Sequence, residues 1–194
     1  PIHCTTSTDG ITWTAPEPVF SDPRFSENPV SADEGRQWQP TLGVVDGELW
    51  VLWCQSGGPG ELQGAWLSCA NAPEAKWRHR RLTWDGDAKP VIDGIAWRVF
   101  PTQNLYRLRS GRILAPVNLT AGTAPDALEL GIKDGFFAAR KRTTVLYSDD
   151  EGDHWQVSPG NILPPHTWAS WEPTVWEEPD GALRMFARYN VHPD

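Results

Sequence analysis

Three stretches of this chain repeat one pattern, and that repeat restricts the available folds more than any other feature. WQPTLGVVDGELWVLWC (38–54), PTQNLYRLRSGRILAPVN (101–118) and WEPTVWEEPDGALRMFAR (171–188) each read as an apolar-alternating strand, a turn with glycine and a second apolar strand. Alternation at a period of two marks a half-buried strand, so each stretch predicts a β-hairpin. Asp46-Gly47 and Asp180-Gly181 are tight-turn dipeptides, because Asp and Gly tolerate the positive φ such turns need; Ser110-Gly111 fills the same slot. Gly47, Gly111 and Gly181 stand 64 and then 70 residues apart, longer than a typical WD40 period.

A second motif runs out of phase with the hairpins. Behind the strand pattern Thr144–Tyr147, the stretch SDDEGDHW places Ser148, Asp150, Gly152 and Trp155 in the order S-x-D-x-G-x-x-W, an Asp box. Its physics is a turn in which a short Asp side chain bonds backbone amides, a Gly takes a left-handed position and a Trp is buried between strands. A version one residue shorter stands at Ser7, Asp9, Gly10, Thr12 and Trp13, and a degraded one at Ser68, Asn71 and Trp77. Hairpin, third strand, Asp box and Trp-led outer strand then give way to a new hairpin. That order predicts an all-β fold, a β-propeller of four-stranded antiparallel blades in a single domain. Blades are expected over 36–83 and 98–160, with the end of an earlier one at 1–20 and the start of a later one at 169–194. Helical periodicity is nearly absent; DALELGIKDGFF (126–137) has room for one helical turn within a loop.

The order of hairpins and Asp boxes, with the strand GRILAPVN and the segment EPTVWEEPDGALRMFAR, resembles the sialidase (neuraminidase) superfamily, in particular the bacterial exo-α-sialidase type with BNR or Asp-box repeats. The resemblance covers nearly the whole chain. It implies a six-bladed propeller, of which about three and a half blades lie here. An upstream part and a C-terminal half are then expected outside these residues, and Pro1 and the interrupted strand pattern at Val191–Asp194 read as truncations. A missing leader therefore says nothing about secretion; the compartment stays open, a secreted or periplasmic one being favoured.

In such a blade the residues just before the first strand and at the end of the second meet at one end. Seven residues beyond the aligned glycines stand Cys54, Asn118 and Arg188; eight or nine before them stand Gln39, Gln103 and Glu172. These six are expected to ring one mouth. The resemblance implies that Glu172 activates a tyrosine nucleophile and that Arg188 belongs to a triad gripping a substrate carboxylate, a task suited to the fixed guanidinium fork. The structural alternative is an ion pair across the hairpin. Asn118, Gln39, Gln103, His166 and Trp168 are the further expected substrate contacts. The catalytic Asp, the other two arginines and the nucleophilic Tyr are expected outside these residues, and Tyr189 does not take the nucleophile's place. Loops expected at the same mouth carry Arg24 and Arg36, Arg98, the run Lys133, Arg140, Lys141 and Arg142, and His166 with Trp168; the basic run reads first as a solvated face.

A net charge of -8 and a pI near 5.1 argue against a nucleic-acid partner, so an acidic ligand has to be met by local arginines. No apolar run approaches the roughly 18 residues of a membrane span. Cys4, Cys54 and Cys69 make no metal-ligand spacing; Cys54 and Cys69 read as packed, reduced thiols ahead of a cross-hairpin disulfide. The five histidines are scattered, and the acidic run Asp149, Asp150, Glu151 and Asp153 coincides with the Asp box, so neither a metal nor another cofactor is expected. Asn118-Leu119-Thr120 is a glycosylation sequon by pattern alone.

The leading expectation is a retaining exo-sialidase-type glycoside hydrolase with a Tyr–Glu nucleophile pair, acting on an acidic glycan or sialoglycoconjugate. A lyase or rhamnosidase acting at uronic acids, with His166 in the mouth, is a second reading. A non-catalytic carbohydrate-binding propeller is a third, since Asp boxes are structural.

Overall fold

The computed structural model describes residues 2–19, 36–56, 62–123, 139–160 and 167–191. All regular structure among them is β, and every pairing is antiparallel. Residues 126–137, where a helical turn was expected, lie outside the described residues.

The first sheet joins β3 (Arg36–Val45), β4 (Glu48–Ser56), β5 (Gly64–Ala70) and β6 (Arg78–Arg81) in sequence order. The second repeats this plan with its first strand broken in two, β9 (Arg98–Pro101) and β10 (Tyr106–Arg107), both paired to β11 (Ile113–Thr123), followed by β12 (Ala139–Ser148) and β13 (Gln156–Val157). A third unit is the hairpin of β14 (Thr167–Glu177) and β15 (Leu183–Val191). Two short pairs complete the set, β1 (His3–Cys4) with β2 (Glu17–Pro18), and β7 (Val91–Ile92) with β8 (Ile95–Ala96). Among the described residues the sheets stay separate and do not close into a ring.

The three hairpin turns fall where the glycines put them, in two geometries. Val45 pairs with Glu48 around Asp46-Gly47, with φ of 50° and 83°, the two-residue turn whose twist matches antiparallel strands. The other two loops are longer by a residue and close with the Gly111 and Gly181 amides on the Leu108 and Glu178 carbonyls.

Period-two alternation gives each sheet two apolar faces, and they pack in series. Val45, Trp50, Leu52 and Leu67 of the first sheet meet Val99, Leu105, Ala115, Val117 and Leu146 of the second. The opposite face of the first sheet carries Val51, Trp53, Trp66 and Trp77, packed with Ile2. The opposite face of the second carries Leu114, Val145 and Tyr147 against Val175 and Met185 of the hairpin. Side-chain hydroxyls tie the innermost strands in the same order: Thr41 Oγ1 donates to the Thr102 carbonyl, and Thr102 Oγ1 donates to Pro173 O at 2.7 Å. At Gly43 the strands approach so closely that a Cβ would overlap the Leu105 carbonyl oxygen, which is why glycine stands there.

Cys54 pairs with Ala65 and Cys69 with Trp50, so the two thiols do not face each other; both are buried and free. Burial pushes both thiols upward, Cys69 to about 12. The degraded box has a different frame from the expected one. The Ala75 amide bonds the Ala72 carbonyl as Asp153 bonds Asp150, while the Trp77 indole bonds Pro73 O, four residues back, where Trp155 bonds Gly152 O, three back. Ala70 and Ala72 thus hold the Ser and Asp slots, while Ser68 lies buried inside β5 beneath the Trp53 indole N–H.

Candidate functional site

The two ends of the sheets differ in chemistry. At one end stand the hairpin turns and Asp boxes. Ser148 Oγ accepts from the Gly152 amide at 2.8 Å, Asp150 Oδ1 accepts from Ser148 Oγ and from the His154 amide at 2.9 Å each, and Gly152 sits at φ 75°. In the shorter box Ser7 Oγ accepts from the Gly10 amide, and Asp9 Oδ1 from the Ile11 and Thr12 amides, each at 2.8 Å. These amide bonds hold both carboxyls down at about 2. The expected tryptophan anchor holds at Trp155, 5% exposed, and not at Trp13, 57% exposed: among the described residues no preceding sheet meets the shorter box as Trp50 of the first sheet meets the box of Trp155. The acidic residues around the second box are bound by arginines: Asp149 by Arg112, Glu151 by Arg107, which also holds Asp46 of the first hairpin turn at 2.8 Å, and Asp153 by Arg80.

At the opposite end, Glu172 and Arg188 face each other across the third hairpin. Arg188 donates from Nε to Glu172 Oε2 at 2.9 Å and from Nη2 to Oε1 at 3.2 Å, a two-pronged pair on the surface. The guanidinium holds the Glu172 carboxyl below the ordinary glutamate value. The pair has a built base. The pairing of β14 with β15 slips between Trp171 and Thr174, and Glu172 takes up the extra residue at φ 52°. A bulge leaves backbone groups without ladder partners. Asn118 of β11 supplies them, its Oδ1 accepting from the Glu172 amide and its Nδ2 donating to Ser170 O, both at 2.8 Å. Beneath lies Trp171, with Lys141 Nζ 4.0 Å and Arg188 Cζ 5.4 Å from its ring centroid.

Several expected mouth residues stand elsewhere. Asn118 is 4% exposed with its amide committed to the bulge, so it positions Glu172 and offers nothing to a ligand; the sequon at Asn118 is closed for the same reason. Gln39 does share the geometry of Glu172, exposed at φ 48° on an equivalent bulge between Trp38 and Thr41. Gln103 does not, because strand pairing aligns Phe100 with Trp38 and Trp171: they oppose Asn118, Cys54 and Arg188 respectively. The second sheet has no bulge there, and Gln103 lies past Thr102 in the break between β9 and β10. The Trp168 backbone lies in β14 at a second irregularity, and His166 falls outside the described residues. Lys133 and Arg24 also fall outside them.

The basic run is a solvated face only in part: Arg140 is exposed, whereas Lys141 is 2% exposed and Arg142 is buried, donating to Pro159 O at 3.2 Å. Alternation was the signal for this, since Lys141 shares a strand face with Thr143, Val145 and Tyr147, which packs on the hairpin.

No family model matches the sequence, and no curated protein matches it. Solved structures do. A protein of unknown function from Dyadobacter fermentans superposes with a TM-score of 0.64 at 19% identity, over 97% of this chain and 51% of that one. The Hadza microbial sialidase Hz136 gives 0.55 at 15% identity, over 97% of this chain and 39% of its own. Trypanosoma rangeli sialidase in complex with the inhibitor DANA gives 0.55 at 16%, over 95% and 28%. The chain thus has a sialidase-like β fold and spans from about half to under a third of the proteins it resembles.

Proposed function

We propose that the described sheets are blades of a sialidase-like β-propeller, over 36–83 and 98–160, with 1–20 closing an earlier blade and 169–194 opening a later one. In this reading the complete protein is a retaining glycoside hydrolase that removes a terminal acidic sugar. The observation that carries it is the Glu172–Arg188 pair, set on a left-handed bulge residue and splinted by Asn118 at the end of the sheets opposite the Asp boxes. Left-handed residues other than glycine cost roughly 1–3 kcal/mol and concentrate at functional sites.

Arg188 grips the substrate carboxylate with the fork that now holds Glu172. Because that bond keeps the Glu172 carboxyl acidic, transfer of the guanidinium to the substrate raises the basicity of Glu172 when a sugar is bound. Glu172 then takes the proton of a tyrosine nucleophile from outside these residues; tyrosine attacks while neutral, so an anionic sugar does not repel it. The test is release of sialic acid from a fluorogenic sialoside by the full-length protein. Glu172→Ala is expected to lower kcat by about 100-fold or more, and undiminished activity would sink the assignment.

A second reading keeps the fold without catalysis. The same ion pair favours it, since two charges that satisfy each other also serve as a plain hairpin clasp. A full-length protein that binds acidic glycans yet releases no sugar would decide for it.

A further inference from the structure

Between the first and second sheets, at the end that carries Glu172 and Arg188, the fold leaves a small cleft lined by Gln55, Gly64, Lys89, Arg98 and Phe100. Its placement follows from strand pairing. Gln55 opposes Gly64 near the end of β4, and Arg98 opens β9 opposite Thr120, which in turn opposes Lys141.

Three features mark the cleft as built for a ligand. Gln55 is 8% exposed and its Oε1 has no hydrogen-bond partner among the described residues, a state that native interiors largely avoid. Lys89 and Arg98 border the same space, and neither enters an ion pair or hydrogen bond among the described residues. Among the described residues none that lines the cleft is acidic, so these leave the two positive charges unbalanced. The cavity measures about 40 Å³, room for roughly three water-sized groups. A carboxylate and one neighbouring hydroxyl have that size.

We infer that this cleft binds the acid end of a hydroxylated carboxylate such as a sugar acid, the carboxylate meeting Lys89 and Arg98 and the hydroxyl donating to Gln55 Oε1. A carboxylate alone cannot serve Gln55 Oε1, because both are acceptors. The site stands apart from the Glu172–Arg188 pair and does not rest on the role proposed for it.

Binding of D-glucuronate to the full-length protein, measured by calorimetry, tests the inference against glucose, acetate and inorganic phosphate. Glucuronate is expected to bind at least about fivefold tighter than each of the three, since only it brings a carboxylate together with a separate hydroxyl donor. Lys89→Gln with Arg98→Gln, on exposed or half-buried positions, is expected to weaken it about tenfold with an unchanged unfolding midpoint. Gln55→Leu is expected to bring glucuronate down to the level of acetate. Phosphate binding as tight as glucuronate, or no effect of the double variant, would each overturn it. A glucuronate-ended oligosaccharide that binds tighter than the free acid points to a subsite for a glycan chain; equal binding points to a free acid.

Discussion

The two Asp boxes use the same bonds and end in different states. Both turns close through Ser and Asp on backbone amides at near-identical distances, and both carboxyls are held at about 2. Yet Trp155 is buried and Trp13 stands in solvent. The box in 148–155 sits against Trp50 of the preceding sheet, where a Cβ on Gly152 would come within 2.7 Å of the indole; around Gly10 there is open space. The turn is thus a local property of the motif, and the anchor is a property of the neighbouring sheet.

The sharpest way to break this comparison is Trp155→Ala, expected to cost about 3–5 kcal/mol in urea unfolding, as large core truncations do. Next in size, Gly152→Ala adds overpacking against Trp50 to the strain of a left-handed alanine and is expected to cost about 2–4 kcal/mol, against about 1–2 for Gly10→Ala. Equal effects at the two glycines would show that Trp50 yields. Acid separates the boxes further. Each Asp has a folded value depressed to about 2, so its contribution is full above the unfolded value and is lost as pH falls from about 4 towards 2, the unfolded chain taking up the proton first. Asp150→Asn is expected to flatten that acid limb of the thermal midpoint; the Asp9 turn, with open space around Gly10, opens without the core, so Asp9→Asn is expected to leave the midpoint and to speed amide exchange in residues 10–12 only. Smallest of all, Trp13→Ala is expected to shift stability by no more than about 0.5 kcal/mol; a large loss there would mean that the exposed indole has a partner in the complete protein.

Hairpins, turn glycines and box residues were legible because each depends on neighbours within a few positions in sequence. Trp77 was legible as an anchor, but the frame around it was not, since a backbone turn that keeps its hydrogen bonds without Ser or Asp leaves no side-chain signature. The contact of Glu172 with Arg188 was legible in outline, and its support was misread. Asn118 looked like a ligand contact because its place at the expected mouth was its only visible property; that its amide splints a bulge in another sheet depends on a contact 54 residues away. Gln103 was misplaced because counting from the glycine assumed one extra residue in every first strand, and the second sheet has two, taken up in the break between β9 and β10.

The threonine hydroxyls on the innermost strands act as an indexing mark. Each finds a carbonyl of the next repeat, although the partners stand 61 positions apart in sequence in one case and 71 in the other. Alignment between sheets is therefore independent of how much chain connects them. Evolution is free to lengthen or rewrite those connections without resetting the scaffold.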